Sequence, residues 1–171
     1  MFEASRDNFR DNLMLKCMFY LGLTNSEVQN LRIEDMDLVN GNVKVQDRYV
    51  PIPTKSFASE LSSAMGYQHT GKLFLVSDRH IRRIVKQYAV KAGIRKPEEV
   101  HPHTLRHSYA TFLQNQGLPL NAIQELLGHS KIDTTTIYVH LGVERKKELI
   151  DKAFGNKETA SLKAYFPSEK E

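Results

Sequence analysis

A chain of 171 residues, 40% hydrophobic and 26% charged, is long enough to bury a core and reads as one soluble globular domain. No apolar run approaches the roughly 18 residues that a membrane-spanning helix needs, and residues 1–10 lack the apolar centre of a signal peptide. A single cysteine, Cys17, excludes an internal disulfide and fits a reducing cytoplasm, while a net charge of +4 and a pI near 9.1 permit a polyanionic partner without requiring one.

In chain order, Asn8 to Leu23 is the first amphipathic stretch, with Leu13, Leu15, Met18, Phe19 and Tyr20 apolar and Gly22 as its stop. Thr24-Asn25-Ser26-Glu27 has the Thr-x-x-Glu form of a capping box and predicts a second helix to about Leu31. Asn40-Gly41 marks a turn, and Val43-Lys44-Val45 with Tyr49-Val50-Pro51-Ile52 predicts a hairpin around Gln46-Asp47-Arg48. A short helix follows over Thr54–Met65, then a loop over Gly66–Gly71 and an extended segment or strand over Lys72–Val76. Ser77 or Asp78 caps a helix that runs to Ala92 and closes at Gly93. Residues 78–96 hold seven basic side chains against one acid, Asp78, and Ile81, Ile84, Val85 and Tyr88 form the face expected to be buried. By itself, such a run of charge is a solvated helix face. Helices over Thr104–Gln116, Leu120–Leu127 and Val143–Phe154 complete the pattern, with a turn through Ile132–Val139 and a polar tail anchored only by Leu162, Tyr165 and Phe166. The expected fold class is mainly α with a small antiparallel β-sheet (α+β), organised as a domain over 1–154 and a tail over 155–171.

The chemically pointed residues gather between His101 and Leu141. His103-x-x-Arg106, Gly128-His129 and Tyr138 recur at separations of 23 and 9 residues, counted from Arg106 to His129 and on to Tyr138. Each has an ordinary reading. Arg106 and His107 flank the buried stripe of Leu105, Tyr109, Phe112 and Leu113, and belong on a surface. Gly128 suits a helix C-cap, and Tyr138 suits a half-buried core position. A zinc site from His101, His103 and His107 is a further alternative, without any paired cysteine to support it. Taken together at this spacing, the four residues resemble the carboxy-terminal catalytic domain of the tyrosine recombinase (phage integrase) family, of the Xer-like kind.

That resemblance implies the tyrosine recombinase catalytic-domain fold, extending from about Asp7 to Phe154. It implies a site-specific recombinase that cleaves and rejoins double-stranded DNA through a 3′-phosphotyrosine, with no cofactor and no metal. Tyr138 would be the nucleophile, a phenol whose pKa of roughly 10 makes it weak without activation. Arg106 would grip two phosphate oxygens with its planar, permanently charged fork, and His103 and His129 would donate to the same phosphate. The helix over Ser77–Gly93 would enter the major groove, making Arg79, His80, Arg82 and Arg83 the DNA-contacting candidates. Self-association on DNA, as tetramers, follows from the family, with Val143–Phe154 or the tail as the segment exchanged between neighbours.

Two positions depart from the family pattern. Gly22-Leu23-Thr24-Asn25-Ser26-Glu27 places threonine where the family has its first catalytic arginine. The β-turn is shorter by about five residues, and the missing part is where the family carries its acid lysine; Lys44 and Lys55 do not inherit that role. Loss of one preorganised donor slows such chemistry by roughly 10²–10³, and loss of a general acid by a further factor of about 10²–10⁴. No amino-terminal DNA-clamp domain is expected from these residues, so DNA binding should be weak and strongly salt-dependent. The alternative reading is a degenerate recombinase-like DNA-binding or interaction protein without strand cleavage.

Overall fold

The computed structural model describes residues 1–128 and 142–155. In chain order its elements are α1 (Phe9–Tyr20), α2 (Asn25–Asn30), β1 (Met36–Asp37), β2 (Asn42–Val45), β3 (Arg48–Pro51), α3 (Lys55–Met65), α4 (Asp78–Lys91), α5 (Pro102–Asn115), α6 (Leu120–Leu127) and α7 (Val143–Gly155). The expected class, mainly helical with a small antiparallel sheet, is the one observed.

Side-chain caps fix where four of these helices start, by accepting backbone N–H groups that the first turn leaves without partners. Asn8 accepts from Asp11 at 3.0 Å, Thr54 from Phe57 at 3.1 Å, Ser77 from His80 at 3.3 Å and Thr24 from Glu27 at 3.3 Å. The Thr24 box is reciprocal, as its Thr-x-x-Glu form predicts, because Glu27 Oε2 accepts from the Thr24 N–H at 2.8 Å. α5 begins two residues earlier than expected, with Pro102 at its first position, where proline's missing N–H leaves no bond unmade.

The sheet has three antiparallel strands in the order β1-β2-β3, with Val43 opposite Val50 and Met36 opposite Val43. β1 is only two residues long, too short to show alternation in the sequence. Arg48, assigned to the hairpin turn by its sequence, instead opens β3 opposite Val45. The turn shrinks to Gln46-Asp47, with Gln46 at a φ of 54°. Lys72–Val76 forms no strand either; it is tied down by a single bridge between Arg32 and Lys72.

α1 lies at the centre, with Met14, Leu15, Cys17, Met18 and Phe19 wholly buried, so it is apolar nearly all round rather than on one stripe. Most of these side chains join the core made with α2, the sheet, α3 and α4, which takes Ile81, Ile84, Val85 and Tyr88 as expected. Phe19 belongs to a second cluster with Tyr109, Phe112, Leu126 and Phe154. α7 completes that second cluster with Ile150, Ala153 and Phe154, and Lys146 pairs with Glu125 of α6 at 3.0 Å. Val143–Phe154 is thus docked on its own chain. The turn expected over Ile132–Val139 and the tail beyond Gly155 lie outside the described residues. Among the described residues, no helix is long and apolar enough to cross a membrane.

Candidate active site

Arg106 lies one residue beyond buried Leu105 on α5, and its side chain turns inward rather than to the surface, remaining only 13% exposed. Nη1 donates to the Gly22 carbonyl at 2.7 Å and reaches Glu27 Oε2 at 3.4 Å, and Nη2 donates to the Leu127 carbonyl. One guanidinium therefore joins the end of α1, the start of α2 and the end of α6. The α6 end is a favourable place for a cation, since unpaired carbonyls collect there. Gly22 lets Tyr109 and Leu127 pack directly on this turn. Its φ is +61°, and a Cβ there would sit 2.7 Å from Tyr109 Cδ1.

Glu27, 5% exposed, is the centre of the cluster. Oε1 accepts from Arg48 Nη1 at 2.7 Å, while Oε2 faces Arg106 and the Thr24 N–H. Burial by itself would raise this carboxyl. The Arg48 hydrogen bond, the Thr24 N–H and the charges of Arg48 and Arg106 outweigh it and hold Glu27 below its ordinary value. Burial draws the Arg106 guanidinium down from its usual range and Glu27 opposes the shift, so the group stays charged.

Arg48 was not singled out from the sequence, yet it is the second guanidinium of this cluster. It reaches in from the start of β3, 9% exposed, and its Nε donates to the Leu126 carbonyl at 2.9 Å. Gly128 closes α6 in the left-handed conformation at φ +70°, and a Cβ there would lie 2.7 Å from Arg48 Nη1. The expected C-cap role of Gly128 is thus joined by a packing one. No local signal marks Arg48, because its partners are 21 and 78 residues away in sequence.

Of the catalytic candidates, Arg106 is embedded in this cluster and His103 lies exposed one turn earlier on α5, its ring 6.4 Å from that of His101. His129 and Tyr138 lie outside the described residues. Thr24 spends its hydroxyl on the helix cap, and Lys44 is exposed on β2. Among the described residues, no three His, Cys, Asp or Glu side chains gather to hold a metal ion, and His101 is engaged with Thr104 at 2.9 Å.

A second cationic group forms at the start of α4. Arg79, Arg82 and Arg83 are exposed, and His80 is half-buried. Arg82 is tethered to Asp78 at 2.7 Å, and Asp78 also accepts from Asn25 at 2.6 Å. Arg83 Nη2 lies 2.9 Å from His80 Nδ1, and Arg10 Nη2 lies 3.2 Å from Nε2 on the other side of the ring. Arg10, on α1, was invisible to a reading of the α4 sequence alone. Arg82, Arg83, Lys86, Gln87 and Val90 line an open groove along the same helix.

The sequence profile of the phage integrase family matches residues 1–145, across both clusters. The chain belongs to that family. Within it, the chain is 34% identical over 164 residues to a tyrosine recombinase of Pseudothermotoga lettingae, covering 89% of this chain and 57% of that protein. It is 38% identical over 161 residues to the tyrosine recombinase XerA of Thermococcus kodakarensis, covering 84% and 55%. The crystal structure of XerA recombinase matches with a TM-score of 0.67 at 29% identity, over 86% of this chain and 59% of that one. An integrase from mycobacterium phage Brujita matches with a TM-score of 0.69 at 22% identity, over 94% and 58%, a likeness of fold alone. The chain spans a little over half the length of these integrase-family relatives.

Proposed function

We propose that this chain is the catalytic part of a site-specific recombinase that binds double-stranded DNA and cuts and rejoins its strands through Tyr138. The observation that carries the reading is the Arg106 guanidinium, fixed in place by Gly22, Glu27 and Leu127 before any substrate arrives. Preorganised charge of this kind stabilises a phosphorane without reorganising during the reaction. Tyr138 Oη attacks phosphorus and gives up its proton, the P–O5′ bond breaks, and the 5′-oxygen leaves as a hydroxyl after gaining a proton. Reversal of these steps by another 5′-hydroxyl rejoins the strand. Arg106, His103 and His129 donate to the non-bridging oxygens, and one histidine serves in moving the proton.

Arg79, His80, Arg82 and Arg83 contact the DNA, joined by Arg10, which shares His80 with Arg83. Assembly is tetrameric on two DNA sites, with residues 155–171 the exchanged segment, since α7 is already docked on its own chain. Residues 1–154 act as one unit, in the cytoplasm, where the lone buried thiol of Cys17 stays reduced.

A suicide duplex tests the reading: a covalent protein–DNA adduct that vanishes in Tyr138→Phe supports it. One observation favours the second reading, a DNA-binding relative without cleavage. The Thr24 hydroxyl is committed to the α2 cap and brings no charge to the site. Duplex binding with no adduct from any substrate would select that reading.

A further inference from the structure

We propose that Arg48 is a catalytic residue: its uncommitted Nη2, beside Arg106, takes a non-bridging oxygen of the scissile phosphate and supplies the second positive donor that Thr24 cannot. This rests on the recombinase reading above.

The two guanidiniums are held as a pair. Arg48 Nε takes the Leu126 carbonyl and Arg106 Nη2 takes the next one, that of Leu127. They also divide Glu27, Arg48 on Oε1 and Arg106 on Oε2. Consecutive carbonyls and the two oxygens of one carboxylate thus gather both guanidiniums in one cluster.

Charge and hydrogen bonding are both left incomplete. Among the described residues, Glu27 is the one carboxylate within ion-pair distance of either arginine, so two cations share one anion in a largely buried place. Buried charge is stable when paired. Arg48 Nη2 is buried with no hydrogen-bond partner among the described residues, although Nε and Nη1 are both engaged. Buried polar groups of folded proteins are nearly always satisfied, so Nη2 calls for a partner, an ordered water or an anion. An anion with acceptor oxygens completes both counts at once.

Position favours a phosphate over a free carboxylate metabolite. Arg106 is already assigned to the phosphate, and Arg48 packs on Gly128, whose lack of a Cβ admits the guanidinium and which precedes His129 in the sequence. The two-residue turn at Gln46-Asp47 starts β3 at Arg48 itself, which is how the side chain comes to reach inward from the strand end.

The test uses the full 171-residue chain. Inorganic phosphate is titrated while the arginine Nε–H signals are followed by NMR. Arg48 and Arg106 signals should move together on one saturation curve, and Arg48→Gln should weaken phosphate binding at least about ten-fold. Single-turnover adduct formation is then measured on a nicked duplex selected by the protein from a randomised pool. Arg48→Lys should lower the first-order rate by roughly 10²–10³ while duplex Kd changes little, the mark of a donor used in the transition state. If Arg48→Gln fails to fold, the titration of the unsubstituted chain still decides. Phosphate that moves Arg106 alone, or an Arg48→Lys rate equal to that of the unsubstituted chain, overturns the proposal. Joint movement of both signals with no adduct from the unsubstituted chain would uphold the Arg48 anion site and sink strand cleavage instead.

Discussion

Thr24 and Glu27 exchange two hydrogen bonds across the first turn of α2, Glu27 N–H to Thr24 Oγ1 at 3.3 Å and Thr24 N–H to Glu27 Oε2 at 2.8 Å. This reciprocal cap orients the carboxylate so that Oε1 is presented to Arg48. A local device for starting a helix therefore also aims the counter-ion of the arginine pair.

Thr24→Ala should lower stability by about 0.5–2 kcal/mol through loss of the cap. Thr24→Arg should lose the same cap but add a guanidinium beside Glu27. Its adduct rate on a suicide duplex should rise, by up to roughly 10²–10³. A duplex with a 5′-sulfur at the scissile bond, which leaves without a proton, separates the two departures from the family pattern. A gain confined to the sulfur substrate identifies the missing lysine as the remaining defect, and no adduct on either would leave Tyr138 without a catalytic role.

Glu27 should govern part of the acid limb of stability. Its carboxyl is held below its ordinary value of 4.5 in the folded chain. The ionised group therefore stabilises the fold fully above that value, and its contribution is lost as pH falls through the lowered folded pKa. Thermal melts of the parent chain and Glu27→Gln should differ most near neutral pH and converge in acid, once pH has fallen below the lowered folded pKa. Parallel Tm curves across that range would show that Glu27 is not linked to folding.

On the DNA surface, Arg83→Ala should weaken duplex binding for all sequences alike and reduce the salt slope by about one unit, as a phosphate contact does. Arg10→Ala and Arg82→Ala should have smaller effects, because Arg10 is already paired with Asp11 at 2.8 Å and Arg82 with Asp78 at 2.7 Å. Gel shifts over a salt series measure both. An unchanged slope for Arg10→Ala would remove α1 from the interface.

Gly128→Ala should destabilise the fold by about 1–2 kcal/mol for the left-handed backbone alone, with a further loss from pushing on Arg48 Nη1, 2.7 Å from the new methyl. Repeating the substitution in an Arg48→Ala background should leave only the backbone part. Equal losses in the two backgrounds would show that Arg48 moves aside freely. Chemical denaturation of the four chains provides the cycle.

Helix starts were legible in the sequence because capping is decided within four residues. Asn8, Thr24, Thr54 and Ser77 each carry the acceptor that their own first turn needs. The buried faces of α4 and α5 were legible because a 3.6-residue period survives in the chain, and Arg106 because its spacing to His103 is that of one helical turn. Other features had no local trace. β1 is too short to alternate, and Lys72–Val76 has strand-like residues whose backbone finds only one bridge, at Lys72. The tertiary structure alone turned Arg106 inward. The carbonyls that hold it belong to Gly22 and Leu127, at the ends of two helices that meet only when α1, α5 and α6 pack. It alone brought Arg48 to Glu27 and Arg10 to His80, pairs set 21 and 70 residues apart. Side-chain chemistry is written residue by residue, but which charges share a buried place depends on helix packing. That packing is driven by apolar contacts that carry no record of the polar groups they bring together.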